Sequence, residues 1–472
     1  MSLNRQIAHN TIVQIIGKVF TTLLGFVGIA MMTRYLGTEQ FGWYVTAISF
    51  LQFAGILIDF GLIPVSAQML SEEKFEKKEL FQNLLGFRFV TAVICLSVVP
   101  LLALFFPYPV EVKIAIAFST VSFLAISINQ ILTGFFQTKL KMHLVSIAEL
   151  IGRIILVGGL FLLMYFKASF QPIMILISLS IVGYTVCLLI FAKKYIPLRL
   201  KYNKTIWKAI ATKMWPVTLS ILFNVIYLKG DIVLLSLYRS QTEVGLYGAA
   251  YRVIDIASQI ALLSIGILLP LLAASWAKNH KQEFAEHYQR SLMMLTLIGL
   301  PIATGIFMLS GPIIQLVGGD EFIGAQKPLK ILAIAVFGLF VSSLYGHIAV
   351  AIDQQRRALF VYISAAILTL IGYLVFLPKF GMIGAAWMSV FSEIFVGVGL
   401  FIMIGRLVRL PLPYKFLARA ILSTAAMATA LSFMQNIPVL ISILLGATVY
   451  FLFILLTKAI SRDTLKEILS FH

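Results

Sequence analysis

The decapeptide TEQFGWYVTA, Thr38–Ala47, returns without gaps 203 residues later as QTEVGLYGAA, Gln241–Ala250. The match pairs Gly42 with Gly245, Tyr44 with Tyr247 and Ala47 with Ala250. Each copy joins two long apolar runs, so each reads as a turn between an outgoing helix and a returning one. The offset corresponds to six such runs. Six is even, so the chain re-enters its second copy from the same side. Two six-helix halves in the same orientation are a recognised transporter plan.

The composition agrees with a chain that lives in lipid. Hydrophobic residues make up 60% of the sequence, charged residues 12%, and the mean hydropathy is +0.98. A soluble protein carries about a quarter charged residues. The net charge of +18 would suit nucleic acid, but its placement excludes that reading. Lys and Arg fall in short connectors between apolar runs, where they set topology. Cys95 and Cys187 lie inside apolar runs, so neither a disulfide framework nor a metal site is indicated, and nothing calls for a cofactor. The first run follows a short polar start and exceeds a signal-peptide core, so it is expected to be a retained helix.

The pattern predicts an all-α polytopic membrane protein with about fourteen spans: 9–34, 41–69, 80–105, 113–136, 142–166, 171–193, 213–238, 244–274, 288–309, 326–351, 357–378, 381–405, 413–434 and 437–459. The even-numbered connectors and the two termini hold 25 of the 37 Lys and Arg, the opposite side seven. The positive-inside rule then predicts that both termini are cytoplasmic. The repeat divides the chain into bundles at 1–200 and 201–406, with two additional helices in 407–472.

Ten charges belong to neither surface. The basic ones are Lys18, Arg88, Arg153, Lys229 and Arg252; the acidic ones are Asp59, Glu149, Asp231, Asp255 and Glu393. Each costs about 2.5–3.5 kcal/mol at the centre of a lipid-facing helix, so together they would cost on the order of 25–35 kcal/mol. They are expected to face a shared polar interior instead.

Several stretches resemble the polysaccharide-transporter family of bacterial oligosaccharide flippases, within the multidrug/oligosaccharidyl-lipid/polysaccharide (MOP) exporter superfamily. HNTIVQIIGKVFTTLLGFVGIAMMTRYLGTEQFGWY is similar to the first span and its turn, and GFFQTKLKMHLVSIAELIGRII to the connector between spans four and five. YLKGDIVLLSLYRSQTEVGLYGAAYRV resembles the seventh-to-eighth turn, and LPKFGMIGAAWMSVFSEI the start of span twelve. The resemblance covers essentially the whole chain. It implies two six-helix bundles in a V around a central cavity that opens alternately to each side. It also implies an O-antigen-type cargo, a polyprenyl-diphosphate (undecaprenyl-diphosphate) oligosaccharide carried from inner to outer leaflet of the cytoplasmic membrane during lipopolysaccharide or related synthesis. Membrane lipids and other polysaccharide-assembly proteins are the implied partners.

A diphosphate cargo needs cations, and arginine offers it a planar fork while lysine offers a compact charge. Lys18, Arg88, Arg153, Lys229 and Arg252 are therefore the substrate-binding candidates. Asn10, Gln14, Lys18, Thr21 and Gly25 form one polar stripe. Lys18 lies about 13 Å from its helix start, a long reach for snorkelling. Arg88 is nearer its end, where snorkelling competes with cargo binding. Glu149 and Arg153, spaced i,i+4, can pair along one face, as can Arg252 and Asp255 at i,i+3. Asp231 shares a face with Ser220, Asn224, Tyr227 and Tyr238, whereas Lys229 points nearly opposite. Resemblance implies that the superfamily often exchanges ions; Asp59, Asp231, Asp255 and Glu393 are candidates for that role. His347 reads as a satisfied interior group, and Trp43 and Tyr44 as interfacial aromatics with sugar stacking as the alternative.

Three other readings share features with this one. A proton- or sodium-coupled small-molecule exporter would use the same scaffold with an acidic interior, but the interior charges are balanced, five against five. A lipid II flippase is the second. A membrane polysaccharide polymerase needs a catalytic constellation, and the outward connector SGPIIQLVGGDEFIGAQ carries none, so the chain is not expected to be an enzyme.

Overall fold

In hydrocarbon every backbone polar group must be satisfied within its own segment, which leaves the helix as the form open to these apolar runs. The computed structural model describes residues 3–59, 69, 75–408, 410–434 and 437–459; within its helices the side chains of 3–16, 56–59, 215–228, 263 and 266–267 are not described. No strand occurs among the described residues. The helices are α1 (Leu3–Asp59), α2 (Lys77–Leu104), α3 (Val110–Thr138), α4 (Met142–Tyr165), α5 (Phe170–Lys193), α6 (Lys204–Tyr238) and α7 (Gln241–Ala277). They continue as α8 (Lys281–Met308), the short α9 (Ser310–Gly318), α10 (Gln326–Ala351), α11 (Gln355–Gly405), α12 (Tyr414–Ser432) and α13 (Val439–Leu456).

Nine helices among the described residues are long and apolar enough to cross a membrane. Two of them are double-length and broken in the middle. Gly37 (φ 67°) interrupts α1 and Gly381 (φ 55°) interrupts α11. Both dihedrals lie in the left-handed region that glycine enters without a Cβ clash. The breaks fall where the sequence separates spans one from two and eleven from twelve. The second expected span runs to 69, whereas α1 ends at Asp59; residues 60–68 lie outside the described set.

Packing divides the chain into two compact units, Met1–Gly245 and Leu246–His472. The first unit therefore includes α6, which the repeat assigns to the second half. Within it, α1 runs alongside α4 in the same direction. Gly17 meets Ser146, Gly28 meets Leu156 and Leu160, and small residues at such places let helices approach closely. In the second unit α10 packs against α8 and α11, and α12 packs against α8 and α13. The last two helices are thus seated on α8 through Phe416, Met427, Leu431 and Tyr450.

The basic connector after α5 is strapped to the start of α2. Lys201 donates its N–H to the Gln82 carbonyl (3.2 Å), Gln82 Nε2 donates to the Pro197 carbonyl (2.8 Å), and Asn203 Nδ2 donates to Glu79 Oε1 (3.2 Å). Asn203 Oδ1 then caps α6 by accepting from Thr205 N–H at 3.0 Å. A Cβ at Gly86 would stand 2.4 Å from the Lys201 carbonyl oxygen. Gly86→Val should displace the strap and cost about 1–3 kcal/mol as an overpacked contact. Thermal unfolding of the purified variant measures this; an unchanged midpoint would mean that the strap is not held there.

Candidate functional site

The first unit contains a half-open cavity of about 520 Å³ lined by residues of α3, α4 and α5, many of them with polar side chains. On α3 the lining residues are Ile126, Asn129, Gln130, Thr133, Gly134 and Gln137. Their spacing keeps them on one face of the helix, so an otherwise apolar span turns an amide- and hydroxyl-bearing stripe inward. Helix α4 contributes Glu149, Gly152 and Arg153; α5 contributes Ser180, Ile181 and Tyr184. A Cβ on Gly152 would stand 3.0 Å from the Ser180 carbonyl oxygen, so this glycine lets α4 and α5 close on that side. A Cβ on Gly134 would meet nothing within 4 Å, because that position faces open space.

The charges gather at the α4 wall. Lys18 Nζ lies 3.2 Å from Glu149 Oε1. Seven residues further along α1, Gly25 lies against Arg153, and a Cβ there would stand 3.4 Å from the guanidinium carbon. The polar stripe of α1 thus runs along the charged face of α4; Thr21, buried, donates its hydroxyl to the Lys18 carbonyl (3.2 Å). The side chains of Asn10 and Gln14 lie outside the described residues. The expected ion pair along α4 is replaced by one between helices. Glu149 pairs with Lys18, and Arg153 has no carboxylate partner among the described residues. The reason is geometric: Lys18 approaches on a parallel neighbour, whereas an i,i+4 pair contributes only about 0.2–0.5 kcal/mol on an isolated helix.

Arg88 is 2% exposed and reaches neither surface nor cavity. It donates to the side-chain oxygen of Gln130 and, at 3.3 Å through Nε, to the Ser127 carbonyl. The guanidinium fastens α2 to α3 and holds one residue of the cavity wall. Asp231 is fully buried in α6, away from the cavity lining, and its Oδ1 accepts from the Ile232 N–H at 2.8 Å. Lys229 is half-buried on the same helix. The side chains of Ser220, Asn224 and Tyr227, and of Asp59, lie outside the described residues.

In the second unit Arg252 Nη1 and Asp255 Oδ2 lie 3.4 Å apart, as their spacing predicts. Glu393 is buried and accepts a 2.7 Å hydrogen bond from Ser342 Oγ. His347 donates through Nδ1 to the Ser343 carbonyl at 2.8 Å, which satisfies one ring nitrogen. Within the first unit, Lys18 thus pairs with Glu149 across helices, and Arg153 follows one turn further along α4. Trp43 packs edge-on against Phe170, with centroids 5.4 Å apart.

Reading the charges alone misses Asn129, Gln130, Thr133, Gln137, Ser180 and Tyr184. For the four on α3 the signal was present in ISINQILTGFFQ (126–137), where polar residues recur at helical spacing inside an apolar span.

A helical fold with apolar spans and a cavity lined by polar side chains points to a transporter class, and comparison with known proteins narrows it. A family model described as "Polysaccharide biosynthesis protein" matches residues 7–276, and one described as MatE matches 216–375. The chain belongs to the polysaccharide biosynthesis protein family, and with it to the MOP superfamily of flippases and exporters. It is 24% identical over 386 residues to the probable low-salt glycan biosynthesis flippase Agl15 of Haloferax volcanii, covering 80% of this chain and 79% of the relative. Over 155 residues it is 27% identical to the stage V sporulation protein B of Bacillus subtilis, 31% of this chain and 30% of that one. Its fold is similar to the inward closed lipid II flippase MurJ, with TM-score 0.78, 18% identity and coverage of 96% and 100%. It is also similar to an inward-facing multidrug-resistance MATE transporter of the MOP superfamily, with TM-score 0.66, 15% identity and coverage of 82% and 94%.

Proposed function

We propose that this protein carries a polyprenyl-diphosphate-linked oligosaccharide from the cytoplasmic to the outer leaflet of the cytoplasmic membrane by alternating access. Both termini are cytoplasmic in this reading, as the placement of the basic connectors requires. The observation that carries it is the pairing of Lys18 with Glu149, which lines the cavity together with Arg153. A diphosphate cannot cross hydrocarbon as a bare anion, and a guanidinium without a carboxylate partner offers it a forked hydrogen-bond donor. Glu149 acts as the resting counter-ion of Lys18. Incoming diphosphate takes the lysine from it, and departure restores the pair. Coupling to an ion falls to carboxylates outside this cluster, with Glu393 and its single hydroxyl partner the first choice.

Binding tests the reading before transport does. The purified protein in nanodiscs should bind undecaprenyl diphosphate at least tenfold more tightly than undecaprenol, because charge-assisted hydrogen bonds contribute about 1.5–3 kcal/mol each. Equal affinity for the two lipids would remove the diphosphate from the reading and favour a small-molecule cargo.

A further inference from the structure

The cluster at the α4 wall accounts for two charges, but it leaves most of the cavity unexplained. The walls formed by α3 and α5 contribute no charged side chain. They contribute three amides, from Asn129, Gln130 and Gln137, and hydroxyls from Thr133, Ser180 and Tyr184. A primary amide presents a donor and an acceptor side by side; Ser180 donates its hydroxyl to the Ile177 carbonyl (2.7 Å), so its oxygen is left to accept. This donor set suits a ligand whose own groups both donate and accept at adjacent carbons. A lipophilic cation would gain little from it, and a second phosphate would find no cation on those two walls.

Two further observations point to a ligand at these walls. Asn129 is 5% exposed, and neither polar atom of its amide has a hydrogen-bond partner among the described residues. Buried polar groups are nearly always satisfied, so an amide left without partners at the wall of a cavity needs an explanation. A turn of the side chain about its own torsions brings it a partner from a ligand in the cavity. Gly134, five residues on, faces space in which a Cβ would touch nothing. The cavity, at about 520 Å³, falls within the range of ligand-binding pockets, about 300–1,000 Å³.

We propose that this cavity, lined by α3, α4 and α5 within the first unit, is a sugar subsite that takes the neutral pyranose or N-acetylpyranose nearest the diphosphate. This rests on the diphosphate reading above, because the Lys18–Arg153 cluster then anchors the carrier end while the amides of α3 receive the sugar hydroxyls. Arg88 is a positioning residue here: it holds Gln130 by its side-chain oxygen and leaves the amide nitrogen to donate.

The test compares two defined lipids, undecaprenyl diphosphate and undecaprenyl-diphosphate N-acetylglucosamine, on the full-length protein in nanodiscs. The wild type should bind the sugar-bearing lipid about tenfold more tightly, the amount expected from two ordinary hydrogen bonds. Gly134→Trp fills the open space, and in that variant the affinity ratio should fall to about one. Asn129→Leu should also reduce the ratio while leaving the melting temperature unchanged or raised, because it removes two unsatisfied buried groups. An asparagine with only a structural role would lower the melting temperature on replacement. Should Gly134→Trp not fold, Gln137→Leu takes its place with the same expected fall. A wild-type ratio of one, or a tenfold ratio that survives these substitutions, overturns the subsite and leaves the diphosphate reading intact. Failure to bind either lipid overturns both.

Discussion

Gly245→Val is expected to abolish transport and to cost about 3 kcal/mol or more of stability, at the upper end of overpacking effects. A Cβ at this position would stand 2.0 Å from the Thr38 carbonyl oxygen and 3.0 Å from the Gly42 backbone nitrogen. Gly42 is under the same restriction, with 1.8 Å to the Gln241 carbonyl oxygen. These neighbours are backbone atoms, so no rotamer change relieves the overlap and the helices themselves must part. The two contacts are reciprocal in the repeat. Thr38 is the counterpart of Gln241 and Gly42 that of Gly245, so each glycine meets the first residue of the other copy. A hydrogen bond from Thr46 Oγ1 to Gln241 Oε1 (2.6 Å) lies beside these two contacts. Gly158→Val is the control, since a Cβ there meets nothing within 4 Å. Thermal unfolding and a transport assay on the three proteins measure the effect. Wild-type behaviour in Gly245→Val would show that this close approach is dispensable.

The second large effect is expected from the α1–α4 cluster. Lys18→Ala and Arg153→Ala should each lower the initial transport rate at sub-saturating lipid by tenfold or more, and the double variant should be inactive. The size follows from losing a charge-assisted contact to phosphate, about 1.5–3 kcal/mol. Lys18→Ala also leaves Glu149 without its counter-ion, which confuses lost binding with a stranded charge. The double variant Lys18→Ala/Glu149→Gln separates them: stability should return toward wild type while transport stays low. Recovery of transport in that variant would make Lys18 a structural partner of Glu149 and nothing more.

Much of this was legible in the sequence, and the part that was not has a physical cause. Span limits at Gly37 and Gly381 could be placed because only polar or glycine-containing breaks interrupt the apolar runs. Lys18 stood out because charge in a span is costly wherever it faces lipid. Its pairing with Glu149 was not legible, because spacing along one helix says nothing about which parallel neighbour lies beside it. The contacts of Arg88 were not legible for a related reason. Its distance from the helix end suggests a path to the surface, whereas α3 offers Gln130 and the Ser127 carbonyl directly alongside. The amides of α3 were overlooked because uncharged polar residues are tolerated singly in a span; only their common face, and the space beside Gly134, turns them into a site.

The central claim is that the chain transfers a diphosphate-linked glycan between leaflets, and one assay addresses it directly. Purified protein is reconstituted in liposomes with a fluorescent undecaprenyl-diphosphate oligosaccharide, and its appearance in the opposite leaflet is timed, with and without an imposed pH gradient or membrane potential. The account predicts protein-dependent transfer that is lost in the Lys18→Ala/Arg153→Ala double variant. Absence of transfer under every gradient, or transfer by the double variant at the wild-type rate, would contradict it.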